Sequence, residues 1–222
     1  MLFRQVATPA AAAQHQSSAT SIVNRSTSPI QRPDAARAAL RLPGDLSIWL
    51  IILLELATFA LMFITYAVVR SNHLEMFNAG QRTLDSTKGV INTWLLIGGS
   101  GCVVSGISAL SKDRRGRAVA WLVASLVCAS GFLVLKTLEY HDKFQAGLDL
   151  DTNTFYTFYY LLTGFHFFHV MAAMAFLGIL TFQTWRGRYG PQDLHGLETG
   201  AAFWHMVDLL WIVLFPLLYL LR

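Results

Sequence analysis

The sequence predicts an all-α integral membrane bundle of five transmembrane helices preceded by a polar tail. Of its 222 residues, 54% are hydrophobic and 14% are charged, against roughly 45 to 50% and about 25% in soluble domains. Five apolar runs are each long enough to cross a hydrocarbon core about 30 Å thick as a helix, which satisfies its own backbone hydrogen bonds. The net charge of +4 is too small to favour nucleic acid as a partner.

Short polar loops separate the apolar runs and define the order of the elements. We place the spans at Leu46–Val69, Ile91–Leu110, Val119–Leu138, Phe155–Thr184 and Gly200–Leu221. Asp45 precedes the first span and has a side chain that favours the N-cap position of a helix. The first membrane helix is therefore predicted to begin directly after Asp45.

Residues 1–41 differ from the rest of the chain and are predicted to form a disordered basic tail. They are rich in Ala, Ser, Thr, Gln and Arg, contain the single acidic residue Asp34, and show no apolar periodicity. The same Arg-rich composition also fits an organelle transit peptide, and this alternative stays open. The predicted organisation is thus a tail, 1–41, and a transmembrane domain, 42–222.

The distribution of basic residues predicts the orientation of the bundle, because loops that stay inside carry an excess of Lys and Arg. The tail and the loops that follow the second and fourth spans lie on one side. They carry eleven of the seventeen basic residues: Arg4, Arg25, Arg32, Arg37, Arg41, Lys112, Arg114, Arg115, Arg117, Arg186 and Arg188. We expect the N-terminus inside and the C-terminus outside.

Glu55 is an ionisable residue inside the first predicted span. At about 1.5 Å per residue it lies about 14 Å beyond Leu46, near the middle of the membrane. A charged side chain there costs about 2.5 to 3.5 kcal/mol on insertion scales, so its presence requires compensation. Glu55 either stays neutral and hydrogen-bonds a neighbouring helix, or it exchanges a proton with a buried water molecule.

Two further pairs of polar residues lie within spans and repeat one spacing. His166 and His169 are three residues apart in the fourth span, as are His205 and Asp208 in the fifth, so each pair shares a helix face. Imidazole and carboxylate groups could close a metal or haem site between the helices. They could instead form an interhelical hydrogen-bond network, which we favour because no known metal-ligand motif is complete.

Other polar residues lie at the ends of spans and are predicted to contact the interface or lipid headgroups. Glu139 follows the third span, while His195 and Glu198 precede the fifth. Lys136, near the end of the third span, is expected to extend its ammonium group towards water. The small residues of the second span, beginning at Gly98, are predicted to allow close approach of another helix.

The chain resembles subunit III of the haem-copper oxidases. Trp204–Trp211 has the sequence W-H-M-V-D-L-L-W and matches the pattern W-H-x-V-D-x-x-W of that family's closing helix. Further blocks occur in the family's order at Glu55–Phe59, Asn92–Thr93, Glu139–Tyr140 and Thr163–Val170. The resemblance covers about residues 42–222. With five spans rather than seven, it is similar to quinol-oxidase subunit III and to the subunit-III-like proteins associated with nitric oxide reductases.

The resemblance implies a noncatalytic subunit that holds no haem, copper or other cofactor and has no catalytic residue. Its implied partners are membrane lipids and a subunit I-type catalytic chain that carries haem, with or without copper. In a cytochrome c oxidase, quinol oxidase or nitric oxide reductase complex, it would support assembly, stability and proton uptake. The buried polar residues implied in that support are Glu55, His166, His169, His205 and Asp208.

The expected location is the bacterial inner membrane, with the mitochondrial inner membrane less favoured. Two other functions stay open at this point. The first is an autonomous membrane metal or haem enzyme that uses His166, His169, His205 and Asp208. The second is a small proton-coupled transporter with Glu55 as its proton site, although no inverted repeat is detectable in the sequence.

Overall fold

The computed structural model describes residues 46–221, and in this part of the chain six α-helices are present. They are α1 (Leu46–Asn72), α2 (Leu74–Arg82), α3 (Ser86–Ser111), α4 (Arg115–Gln145), α5 (Thr154–Trp185) and α6 (His195–Phe215). A π-helical turn, Pro216–Leu220, continues α6. The predicted tail, the proposed N-cap Asp45 and the terminal Arg222 lie outside the described residues.

Five of these helices are long and apolar enough to cross a membrane: α1, α3, α4, α5 and α6 with its π-helical turn. The predicted all-α architecture with five spans is therefore confirmed. The helices extend beyond the predicted spans because helical structure continues where the sequence becomes polar. The largest extension is in α4, which runs to Gln145, seven residues beyond the predicted end at Leu138.

The short helix α2 lies between the first two spans and was not predicted. It is polar on average but buries Phe77, Gly80 and Gln81. A Cβ atom at Gly80 would lie 2.2 Å from the ring of Phe155 on α5, so this glycine permits the close contact. Asp85 then caps α3, its side chain accepting a hydrogen bond from the backbone of Thr87 at 2.9 Å.

The centre of the bundle is α6, which packs against α1, α3 and α5. The most apolar 18 residues of α6 are 56% buried, whereas those of α1 are only 11% buried. Helices α3 and α4 form a close hairpin in which a Cβ atom at Gly106 would lie 3.1 Å from Leu122. Gly99 also faces α4 and α6, whereas Gly98 has no neighbour within 4 Å, so the predicted close packing involves one face of α3.

Candidate functional site: buried polar clusters

The side chains of Glu55, in the interior of α1, and His169, in the interior of α5, contact each other. The Nε2 atom of His169 lies 3.0 Å from Oε2 of Glu55, and its Nδ1 atom lies 2.8 Å from the carbonyl oxygen of Phe165. A carbonyl oxygen only accepts hydrogen bonds, so Nδ1 carries a proton. The contact with Glu55 therefore holds one more proton, either on the carboxyl group or on Nε2.

Both positions of that proton leave the pair electrically neutral overall. With the proton on Glu55, a neutral acid donates to a neutral imidazole; with the proton on Nε2, a carboxylate accepts from an imidazolium. Phe59 and Phe165 pack against the imidazole, with ring centroids 5.3 and 4.6 Å away. The protein thus fixes the ring while leaving the proton two possible locations.

The Glu55–His169 pair is not fully covered by the part of the chain that the structure describes. The Glu55 side chain is 27% exposed and that of His169 is 12% exposed. The residues one turn away on the same helices, Ile51 and Ala172, are also exposed. The pair therefore lies at the edge of an apolar outer surface, with its reactive atoms directed towards each other.

A second cluster connects α6 to α3. Ser100 donates a short hydrogen bond to Oδ2 of Asp208, and Nδ1 of His205 lies 2.8 Å from the Ser100 oxygen. Asp208 is 5% exposed. Ser100, a small residue of the second span, is thus the residue through which His205 and Asp208 of α6 are linked to α3.

The four residues of the metal-enzyme alternative do not converge. His166 is fully buried between Phe132 and Trp211, with ring centroids 5.7 and 5.3 Å away, and neither of its nitrogens has a hydrogen-bond partner among the described residues. His169 is paired with Glu55 instead. Between residues 46 and 221, no group of three or more His, Cys, Asp or Glu side chains could hold a metal ion. The ligand set required by that alternative is therefore not formed.

The third cluster corrects a prediction, because Lys136 and Glu139 are buried rather than solvated at the interface. Lys136 is 0% exposed and Glu139 is 2% exposed. Two features of the fold explain the difference. Helix α4 continues past both residues, and the π-helical turn that follows α6 places Tyr219 over them. Hydropathy alone locates the end of a span but does not reveal what folds across it.

The Lys136–Glu139 cluster is fully hydrogen-bonded. The Lys136 ammonium donates to Glu139, Tyr159 and Tyr219 at 3.2, 3.1 and 2.7 Å. Both tyrosine hydroxyls donate in turn to Oε1 of Glu139, at 2.9 Å from Tyr159 and 2.7 Å from Tyr219. The ammonium also lies 5.6 Å from the ring centroid of Trp211. The sequence feature that could have indicated this cluster is the spacing of Lys136 and Glu139, which are three residues apart at the end of an apolar run and can therefore form an ion pair on one helix face.

The two remaining predicted interface residues lie at the start of α6. His195 is exposed and Glu198 is partly buried. Glu198 stands in the first turn of α6, where a carboxylate is favoured by the helix dipole. Their contact with lipid headgroups stays a prediction.

Comparison with known proteins places the whole helical bundle in one family. Residues 44–221 match the family model of cytochrome c oxidase subunit III. The chain belongs to this family. The resemblance based on the W-H-M-V-D-L-L-W segment is thereby confirmed, and the match covers every element from α1 to the π-helical turn.

Individual relatives support this subunit III assignment. The chain is 32% identical to cytochrome c oxidase subunit 3 of Thermostichus vulcanus, over 75% of this chain and 82% of that protein. It is 27% identical to cytochrome bo(3) ubiquinol oxidase subunit 3 of Pseudomonas aeruginosa, over 78% and 82%. It is also 29% identical to a heme-copper oxidase subunit I+III of Aeropyrum pernix, over 78% of this chain but 22% of that protein.

Proposed function

We propose that this chain is the noncatalytic subunit III of a respiratory haem-copper oxidase-type complex in a bacterial inner membrane. Its partner is a subunit I-type chain that carries haem, with or without copper, and reduces oxygen or nitric oxide. Three kinds of support are available: the family, the bacterial relatives, and a relative whose name combines subunits I and III in one protein. The chain's own contribution is to assembly, stability and proton uptake.

The partial exposure of the Glu55–His169 pair is the observation that carries this proposal. A carboxyl group that faced lipid would retain an insertion cost of about 2.5 to 3.5 kcal/mol, and 27% of the Glu55 side chain is uncovered. On the same face of α1, one turn before Glu55, Ile51 is 47% exposed, and Ala172, one turn after His169 on α5, is exposed as well. A partner helix laid along this edge would cover the pair together with these apolar side chains.

The Glu55–His169 pair suits a supporting role in proton uptake rather than a redox role. Its two facing atoms are 3.0 Å apart, and a proton that moves from one to the other leaves the net charge of the pair unchanged. Beside a partner subunit, such a pair can orient water or a proton-carrying side chain of the neighbour. Electron transfer and reduction of the substrate belong to the partner chain.

The experiment that tests the proposal is purification of the tagged full-length chain from its native membrane in mild detergent. We expect a subunit I-type chain in equal amount, together with haem that remains with that partner when the two are separated. Stoichiometric haem, iron or copper on this chain alone would contradict the proposal. Proton-coupled uptake by liposomes that contain only this chain would favour the transporter alternative instead.

We also propose that the N-terminus faces the cytoplasm and the C-terminus faces outward, as the basic loops predict. The test uses a cysteine introduced by Ser18→Cys or by Arg222→Cys, in a background where Cys102 and Cys128 are replaced by Ala. A membrane-impermeant thiol reagent should label intact cells or spheroplasts through the second cysteine only. Labelling of both ends from one side would require an even number of spans and would contradict this orientation.

A further inference from the structure

A pocket at one end of the α3–α4 hairpin has no role in the function proposed above. Its volume is about 360 Å³, and its upper wall is formed by Lys112, Arg114 and Arg117. The turn between the helices is tight, because the backbone N–H groups of Asp113 and Arg114 bond to the carbonyls of Leu110 and Ala109, at 2.9 Å each. This helix-ending motif brings the last turn of α3 beside the first turn of α4.

The positive charge of the pocket is not neutralised by any residue between 46 and 221. Lys112, Arg114 and Arg117 are all exposed. Within residues 46–221 no carboxylate forms an ion pair with any of them, and no Asp or Glu lines the pocket. Three cations held together without a counter-charge repel one another, so an anion bound between them is favoured.

The lower wall of the pocket is apolar and lies within the membrane spans. Val104 is 55% exposed and Trp121 is 45% exposed, and both line the cavity. Val104 and Ser108 are four residues apart on α3, and Lys112 follows four residues later, directly after the end of that helix. On α4, Trp121 lies one turn after Arg117. Each side of the pocket therefore changes from apolar to cationic, and tryptophan is typical of that boundary in membrane proteins.

We propose that this pocket binds an anionic phospholipid, with its phosphate between Lys112, Arg114 and Arg117 and an acyl chain against Val104 and Trp121. A phosphate group accepts hydrogen bonds from both kinds of basic side chain. A free phosphate ion would use only the cationic wall, whereas a phospholipid uses both walls. The predicted orientation places the site in the cytoplasmic leaflet, which attracts basic segments through its anionic lipids. This inference does not depend on the identity of the partner subunit.

The test is native mass spectrometry of the full-length chain in detergent, with phosphatidylglycerol, phosphatidylcholine or inorganic phosphate added. We expect one phosphatidylglycerol to be retained in preference to phosphatidylcholine, and inorganic phosphate at equal concentration not to displace it. Arg117→Gln should weaken retention about fivefold, the usual effect of one basic residue near an anionic surface. The matched control Arg82→Gln removes an exposed cation at the end of α2, before the start of α3 and far from the pocket, and should change retention by less than twofold.

A second variant tests the pocket without changing its charge. Ser108→Trp fills the cavity and should also abolish the preference for phosphatidylglycerol, whereas Ser130→Trp, at an exposed position on α4, should leave it intact. Equal loss in both tryptophan variants, or equal retention of the two lipids by the unmodified chain, would overturn the proposal. Displacement of the lipid by inorganic phosphate would assign the site to a free anion and would also overturn it.

A photoreactive residue in place of Ser108 extends the test to the copurified assembly. A crosslink to phospholipid would support the proposal. A crosslink to an acidic segment of another protein would show that the cationic wall is a protein interface, and the lipid assignment would then be wrong.

Discussion

Glu139 and Glu55 are two acidic residues within apolar helices, and their carboxyl groups differ in burial and in the number of hydrogen bonds that they accept. Glu139 is 2% exposed and accepts hydrogen bonds from Lys136, Tyr159 and Tyr219. Glu55 is 27% exposed and has one partner among the described residues, His169. The Glu139 carboxylate is enclosed by α4, α5 and the π-helical turn. The Glu55 carboxyl group contacts His169 on one side and is exposed on the other.

This difference separates a structural role from a functional one. A buried ion pair whose every donor is satisfied has no capacity for a further contact, and removing one member leaves an uncompensated charge. A half-covered carboxyl beside a histidine can still accept a contact from a neighbouring chain. We therefore propose that the Lys136–Glu139 cluster stabilises the fold and that the Glu55–His169 pair lies at the interface with the catalytic subunit.

The largest expected effect is at the enclosed cluster. Lys136→Met should lower the free energy of unfolding by about 3 to 5 kcal/mol, because it leaves the Glu139 charge buried without its partner. The double variant Lys136→Met/Glu139→Leu should recover part of that loss. Thermal unfolding in detergent, followed by circular dichroism, measures both variants.

The matched control for this prediction is Arg82→Met, which removes an exposed cation and should change the unfolding free energy by less than about 0.5 kcal/mol. If Lys136→Met were equally mild, the cluster would not be the structural element that the contacts indicate.

The next effect is at the open pair and concerns assembly more than folding. Glu55→Leu removes the partner of His169 Nε2, and a buried group left without a hydrogen bond costs about 1 to 3 kcal/mol. We expect the amount of catalytic subunit that copurifies to fall, while the chain itself remains folded. Leu53→Ala, also on α1, serves as a control that keeps the pair. Equal losses of the catalytic subunit in the two variants would contradict a specific role for Glu55.

A smaller effect is expected where Ser100 links His205 to Asp208. Ser100→Ala deletes the hydroxyl that joins α3 to α6 and should cost about 1 kcal/mol of unfolding free energy. The control is Ser130→Ala, because the Ser130 hydroxyl bonds only to Leu126 of its own helix, at 2.8 Å. The same thermal measurement compares the two, and an equal cost would mean that the link between helices adds nothing.

The sequence predicted the spans and the family but not the partners of the buried groups. Apolar runs identify membrane helices because each helix must present apolar side chains to the lipid hydrocarbon and satisfy its own backbone hydrogen bonds. The requirement applies to each helix separately. The pairing of Glu55 with His169 joins residues 114 positions apart, and no local pattern encodes it. Helix α2 was missed because its nine residues are polar on average and too few for a span. The shared helix face of His205 and Asp208 was visible in their three-residue spacing, whereas their common partner Ser100, more than 100 positions earlier, was not.

The most direct test of the central claim is turnover of the copurified complex that carries Glu55→Gln. A glutamine amide can donate to Nε2 of His169, so the hydrogen bond and the side-chain volume are retained while the ability to ionise is lost. We predict full assembly, unchanged haem content and a reduced but measurable rate of substrate reduction. Complete loss of activity in a fully assembled, haem-replete Glu55→Gln complex would contradict the assignment of this chain as a noncatalytic subunit.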